Sequence, residues 1–105
     1  MEEFIIVLTT FPDEARAREA ARALLEAKLA ACCTLFPGTS FYWWKGQVNQ
    51  DAEVVMIIKT LSSLYQELEK KLKESHPYEV PEIIALPIVA GNQNYFDWIK
   101  EVTRD

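Results

Sequence analysis

The sequence has 105 residues, 50% hydrophobic and 26% charged, the make-up of a single soluble folded domain (residues 1–105) rather than of two domains or a disordered chain. Eleven lysines and arginines against 16 acids leave a net charge of -5, so the basic surface that a phosphate backbone requires is missing and nucleic acid is not an expected partner. No uncharged stretch approaches the ~20 apolar residues of a membrane helix and the first residues lack the basic segment of a secretory signal, so no membrane contact and a cytoplasmic location are expected.

Phe4 to Leu8 is an unbroken apolar run bounded by Thr9, Thr10 and Pro12, which predicts a central strand buried on both faces. A helix follows. Pro12, Asp13 and Glu14 suit its first turn, Ala17, Ala20, Ala21 and Leu24 recur at helical spacing, and Glu14 and Arg18 stand one turn apart on the solvated face. Ala30 to Phe36 again has the pattern of a strand. Pro37 and Gly38 interrupt it, predicting a bulge or bend, before Ser40, Phe41, Tyr42, Trp43 and Trp44 resume it. Lys45 to Asp51 carries the turn chemistry of a hairpin, and Val54 to Ile58 supplies the returning strand. Ser63 with Gln66 forms a capping box for a second helix, on which Leu61, Leu64, Tyr65, Leu68 and Leu72 share a face and which stops before Pro77. Ile83 to Val89 predicts another strand, locally unpaired on one side because of Pro87. Asn92 caps a last helix on which Tyr95, Trp98, Ile99 and Val102 align. The order strand, helix, strand, strand, helix, strand, helix is that of an α+β fold: a ferredoxin-like split βαβ sandwich with a long bent β-hairpin and an extra C-terminal helix.

With only Gly38, Gly46 and Gly91, the chain holds neither a dinucleotide fingerprint nor a phosphate loop. His76 lacks the Gly-x-Ser-x-Gly setting of a serine hydrolase, and no enzymatic activity is expected. Cys32 and Cys33 are adjacent in a strand and point to opposite faces, so they are poorly placed to pair; free thiols fit a reducing compartment. The segment from His76 to Glu82 holds an imidazole, a phenol and two carboxylates on a connection fixed by Pro77 and Pro81. Its bland reading is a helix stop, with His76 satisfying a helix-end carbonyl. Its functional reading is a metal or small-anion site. Copper and zinc favour imidazole and thiolate but need three or four ligands, so His76 and one of the two cysteines would have to be gathered with carboxylates by the fold or across subunits. A chain of this size buries roughly two thirds of its unfolded surface, so no metal is required for folding. Phe41, Tyr42, Trp43 and Trp44 put bulky rings on both faces of one strand, which points to an interface between chains.

Leu29-Ala30-Ala31-Cys32, Ser40 with Tyr42 and Trp44, Glu53 leading to Lys59-Thr60, His76-Pro77-Tyr78 with Val80-Pro81-Glu82, and Tyr95 with Trp98 together resemble the divalent-ion tolerance (CutA) family, from Phe4 to about Val102. The resemblance implies a ferredoxin-like homotrimer, similar in architecture to the nitrogen-regulatory PII signalling proteins, with a role in metal-ion tolerance and copper binding proposed for some members. It implies that Cys32, Lys59, His76, Tyr78, Glu82 and Trp98 line a cleft between subunits. Members with a proposed copper site can carry a cysteine where this chain has Thr9 and a second histidine where it has Ser75, so only His76 remains of that set. The expectation is a trimeric divalent-cation tolerance protein that binds copper or another divalent cation weakly through His76, with Cys32 or a carboxylate. The alternatives are a PII-like sensor of small anions that uses Lys59, and a structural trimer serving as an assembly platform.

Overall fold

The computed structural model describes residues 3–104. Its elements are β1 (Phe4–Phe11), α1 (Glu14–Glu26), β2 (Cys32–Trp44), β3 (Gln47–Leu61), a 3-10 turn (Ser62–Leu64), α2 (Tyr65–Ser75), β4 (Ile83–Pro87) and α3 (Gln93–Val102). The strands lie in the order β2-β3-β1-β4 and each neighbouring pair is antiparallel. With α1 and α2 inserted between strands, this is the split βαβ arrangement expected from the element order.

Strand periodicity decides where the core sits. Ile5, Val7 and Thr9 of β1 lie opposite Thr60, Ile58 and Met56 of β3, and all six are buried. Ala17 and Leu24 of α1 and Leu68 and Leu72 of α2 belong to the same core, at the helical spacing read from the sequence. The alternate side chains fare differently. Ile6 and Leu8 of β1 and Val55 and Ile57 of β3 are half-buried, and Leu86 and Ile84, beside them on β4, are exposed. β1 is therefore central, as expected, but only one of its faces is fully buried. α3 packs through Ile99, which is buried, and through Phe96, whose ring stacks on Phe4 at 4.2 Å.

The β2–β3 ladder runs unbroken from Cys32 opposite Lys59 to Trp44 opposite Gln47, with Pro37 facing Val54 and Gly38 facing Glu53. The bulge expected at Pro37 and Gly38 is absent from the pairing. β2 is an edge strand, where a residue lacking an N–H can leave the ladder intact. The hairpin also turns more tightly than expected. Lys45 and Gly46, with φ of 53° and 78°, make a two-residue connection of the kind that needs positive φ at both positions. The Asn49 side-chain amide donates to the carbonyls of Trp44 and Gln47 and braces it. Gln47 to Asp51 belong to β3, because polar side chains are acceptable on a ribbon that extends past the core.

The helix starts are of two kinds. Asp13 caps α1 by accepting from the Arg16 N–H at 2.8 Å, and Asn92 caps α3 by accepting from the Tyr95 N–H at 3.1 Å. Ser63 and Gln66 form no capping box; Ser62–Leu64 wind into a 3-10 turn that feeds straight into α2. β4 ends at Pro87, two residues before the apolar run does, and the Ile88 N–H donates to the Phe4 carbonyl at 2.9 Å.

Candidate functional site

Pro77 forces His76 out of the helical region, and His76 sits beyond the end of α2 with an extended backbone, φ -71° and ψ 130°. This exit carries the imidazole to the end of β1 rather than back to a carbonyl of its own helix. There it stacks on Phe11 at 4.5 Å, and Nε2 donates to the Thr10 carbonyl at 2.9 Å. On the other side of the ring the Tyr78 N–H donates to Nδ1 at 3.2 Å. Thr9 Oγ1 lies 3.5 Å from Nε2. Burial pushes the His76 pKa below the ordinary 6.5, opposed by the Thr10 carbonyl and the charge of Glu53.

The next turn of chain aims Tyr78 at β3. Its hydroxyl donates to Glu53 Oε2 at 2.6 Å, and burial, reinforced by that carboxylate, holds the phenol well above its usual pKa. Between the hairpin and this segment opens a cleft of about 560 Å³, walled by Tyr42, Trp43 and Trp44 on one side and by Tyr78 and Val80 on the other. Its charged lining residues are Glu53, Glu79 and Glu82, all acidic. Tyr42 also donates a hydrogen bond to Asp51 across the ribbon.

Tyr78 and Glu82 thus line one cleft of the single chain, and Lys59 and Trp98, which the resemblance groups with them between subunits, lie outside that cleft. Lys59 pairs with Cys32 on one side and Ile6 on the other, and its Nζ lies 6.0 Å from the Tyr95 ring, which in turn packs on Trp98 at 5.4 Å. Cys32 and Lys59 are level with Ile6, while His76 contacts Thr10. Four residues along a strand separate these levels by about 13 Å. Within one chain, then, His76 and Cys32 are not brought to a common site. No three His, Cys, Asp or Glu side chains converge on a metal-sized space among the described residues. Cys33 is a core thiol: burial, with a smaller contribution from Cys32, pushes its pKa up to about 12. Phe41, Tyr42, Trp43 and Trp44 are all exposed, Trp43 by 74%.

Glu53 and the Thr10 carbonyl are the site groups that sequence reasoning missed. Glu53 was named only among the residues that carry the resemblance, because its place beside Tyr78 depends on the tertiary fold, and a backbone carbonyl leaves no trace in a sequence.

Residues 5–102 match the family model described as CutA1 divalent ion tolerance protein. The divalent-cation tolerance protein CutA of Thermus thermophilus is 48% identical over 104 residues, covering 98% of this chain and 99% of that protein. The crystal structure of CutA1 from Shewanella sp. SIB1 superposes with a TM-score of 0.95 at 41% identity, covering 99% of this chain and 98% of that one. The structure of the periplasmic divalent cation tolerance protein CutA from Archaeoglobus fulgidus superposes with a TM-score of 0.93 at 39% identity, covering 94% and 97%.

Proposed function

The chain belongs to the CutA1 divalent ion tolerance family, and from that membership we propose that it works as a non-enzymatic homotrimer with weak affinity for copper or another divalent cation. The observation that carries the assembly is the exposure of Phe41, Tyr42, Trp43 and Trp44 together with Ile84 and Leu86 on the incompletely covered sheet face. Exposed apolar surface of this extent favours association. Weak metal affinity is supported by the donor set: among the described residues no three His, Cys, Asp or Glu side chains converge, so a soft-metal site needs ligands from more than one chain. His76 lies about 13 Å along the sheet from Cys32, so the imidazole does not serve that thiol as a base, which supports a role without catalysis. Two free thiols favour a reducing compartment, and we place the protein in the cytoplasm on that ground. Among the described residues no helix is long and apolar enough to cross a membrane.

One observation favours a second reading. Lys59, with Tyr95 and Trp98, lies apart from the acidic cleft and offers a cation beside aromatic rings, the chemistry of a small-anion site in a PII-like sensor. Light scattering combined with titration of copper, zinc and nucleotides separates the readings. A trimer that takes up a divalent cation supports the first. A trimer that binds a nucleotide in a Lys59-dependent way, and no metal, replaces it with the second. A monomer at micromolar concentration sinks both.

A further inference from the structure

Resting on the family reading above, we propose that His76 is a positioning residue and not a metal ligand in this chain: it is a two-ended clasp that locks the segment after α2 to the end of β1 and thereby aims Tyr78 at Glu53 in the cleft wall.

The partners of the ring settle its chemistry. A carbonyl can only accept, so the contact with the Thr10 oxygen requires the proton on Nε2. A backbone amide can only donate, so the contact with the Tyr78 N–H requires the lone pair on Nδ1. A neutral imidazole has one ring-nitrogen lone pair, and that pair is the one a metal would take. Here it is already engaged by backbone. A metal at Nδ1 would have to displace the Tyr78 amide, and one at Nε2 would have to displace the Thr10 carbonyl after the proton had moved. Rotation out of this arrangement would also undo the stacking on Phe11 and the contact with the Tyr78 ring at 5.2 Å.

The neighbourhood offers a soft metal little in return. The side chain nearest Nε2 is Thr9, a neutral hydroxyl, which is a poor ligand for copper or zinc. No carboxylate or thiol completes a three-donor set with the ring among the described residues. The same contacts make an effective brace. Through His76, a β1 carbonyl is tied to an amide of the segment after α2, and through the Tyr78 hydroxyl that amide's residue is tied on to β3 at 2.6 Å. Three separate stretches of backbone are held by one imidazole and one phenol.

Two substitutions and one spectrum test the proposal on the full-length protein. The amide of Gln can donate to the Thr10 carbonyl and accept from the Tyr78 N–H, whereas Ala can do neither. His76→Ala should speed hydrogen exchange at the Tyr78 amide about tenfold, as expected for loss of one such bond, while His76→Gln stays within about threefold of wild type. Zinc affinity, measured by calorimetry, should be the same in all three proteins. Long-range nitrogen–proton spectra of the wild-type imidazole should show only the Nε2–H tautomer near neutral pH. A parallel loss of zinc affinity in both variants, unchanged Tyr78 exchange in His76→Ala, or an Nδ1–H tautomer would each overturn the clasp. If His76→Ala does not fold, His76→Gln and the tautomer still decide. If the wild type takes up neither zinc nor copper, the divalent-cation reading fails, while Tyr78 exchange and the tautomer judge the clasp independently.

Discussion

The Tyr78 hydroxyl donates to the Glu53 carboxylate across 2.6 Å, joining the segment that follows α2 to the middle of β3. The two residues form adjoining parts of the cleft wall, and the raised pKa of the phenol keeps it a proton donor throughout the physiological range. Tyr78→Phe retains the ring against His76 and removes only the donor. The protein should lose about 1 kcal/mol, in line with one partly solvated hydrogen bond to a charged acceptor. Urea unfolding should show a lower midpoint with an unchanged slope.

Stability should fall as the medium is acidified through the imidazole range. Burial lowers the folded-state pKa of His76 below the unfolded value of 6.5, with Glu53 and the Thr10 carbonyl opposing the shift, so the unfolded chain binds the proton more readily. The contribution of the neutral ring is complete above pH 6.5 and is lost as pH drops through the lower folded value. A protonated Nδ1 would then face the Tyr78 N–H, donor against donor. Denaturation midpoints of His76→Gln should change less than those of the wild type across the same interval. Parallel curves for the two proteins would show that another group carries the acid sensitivity.

The adjacent thiols should differ sharply in reactivity. With a pKa of about 12, Cys33 is thiolate in only about one molecule in ten thousand at pH 8, and its side chain faces the core. Alkylation of the native protein should leave Cys33 untouched until denaturant is added, as read by peptide mass spectrometry. Rapid labelling of Cys33 under native conditions would mean that the β2 end of the sheet opens readily.

Assembly should depend on the aromatic run. Light scattering should give three times the 12.1 kDa of one chain. Trp44→Glu places a charge where an exposed indole now stands and should lower the mass toward that of one chain at micromolar concentration. An intact trimer in this variant would move the interface to the Ile84 and Leu86 face of the sheet.

Local signals in the sequence located most of the fold. The Glu14–Arg18 pair, 3.1 Å apart, and the Asn92 cap both follow from side-chain chemistry within one turn. The misreadings arose where tertiary context outweighed local pattern. Pro37 looks like an interruption until β2 is known to be an edge strand. Asn49 to Asp51 look like a turn until the ribbon is known to extend beyond the core. Ser63 and Gln66 have the spacing of a capping box, but the 3-10 turn already supplies the entry to α2. Of the candidate site, the grouping of Tyr78 with Glu82 was legible, because both lie in one short segment stiffened by Pro77 and Pro81. The distance between Cys32 and His76 was not, because it depends on strand register, and the clasp on His76 is made largely by backbone.

The two-residue turn at Lys45 and Gly46 also sets an order of events. Every β2–β3 pair lies between Cys32 and Lys59, whereas β1 reaches β3 only by closing the chain from Phe4 to Leu61. Loop-closure entropy therefore favours zipping of the ribbon first. Gly46→Ala, which strains a positive φ, should slow refolding in stopped-flow measurements while leaving the final fold in place. On a ribosome the ribbon can pair once Leu61 has emerged, before α2, β4 and α3 are free to pack on it, and it already displays Phe41, Tyr42, Trp43 and Trp44. In the trimer proposed above, the aromatic surface would thus be presented before the core of any one chain had closed.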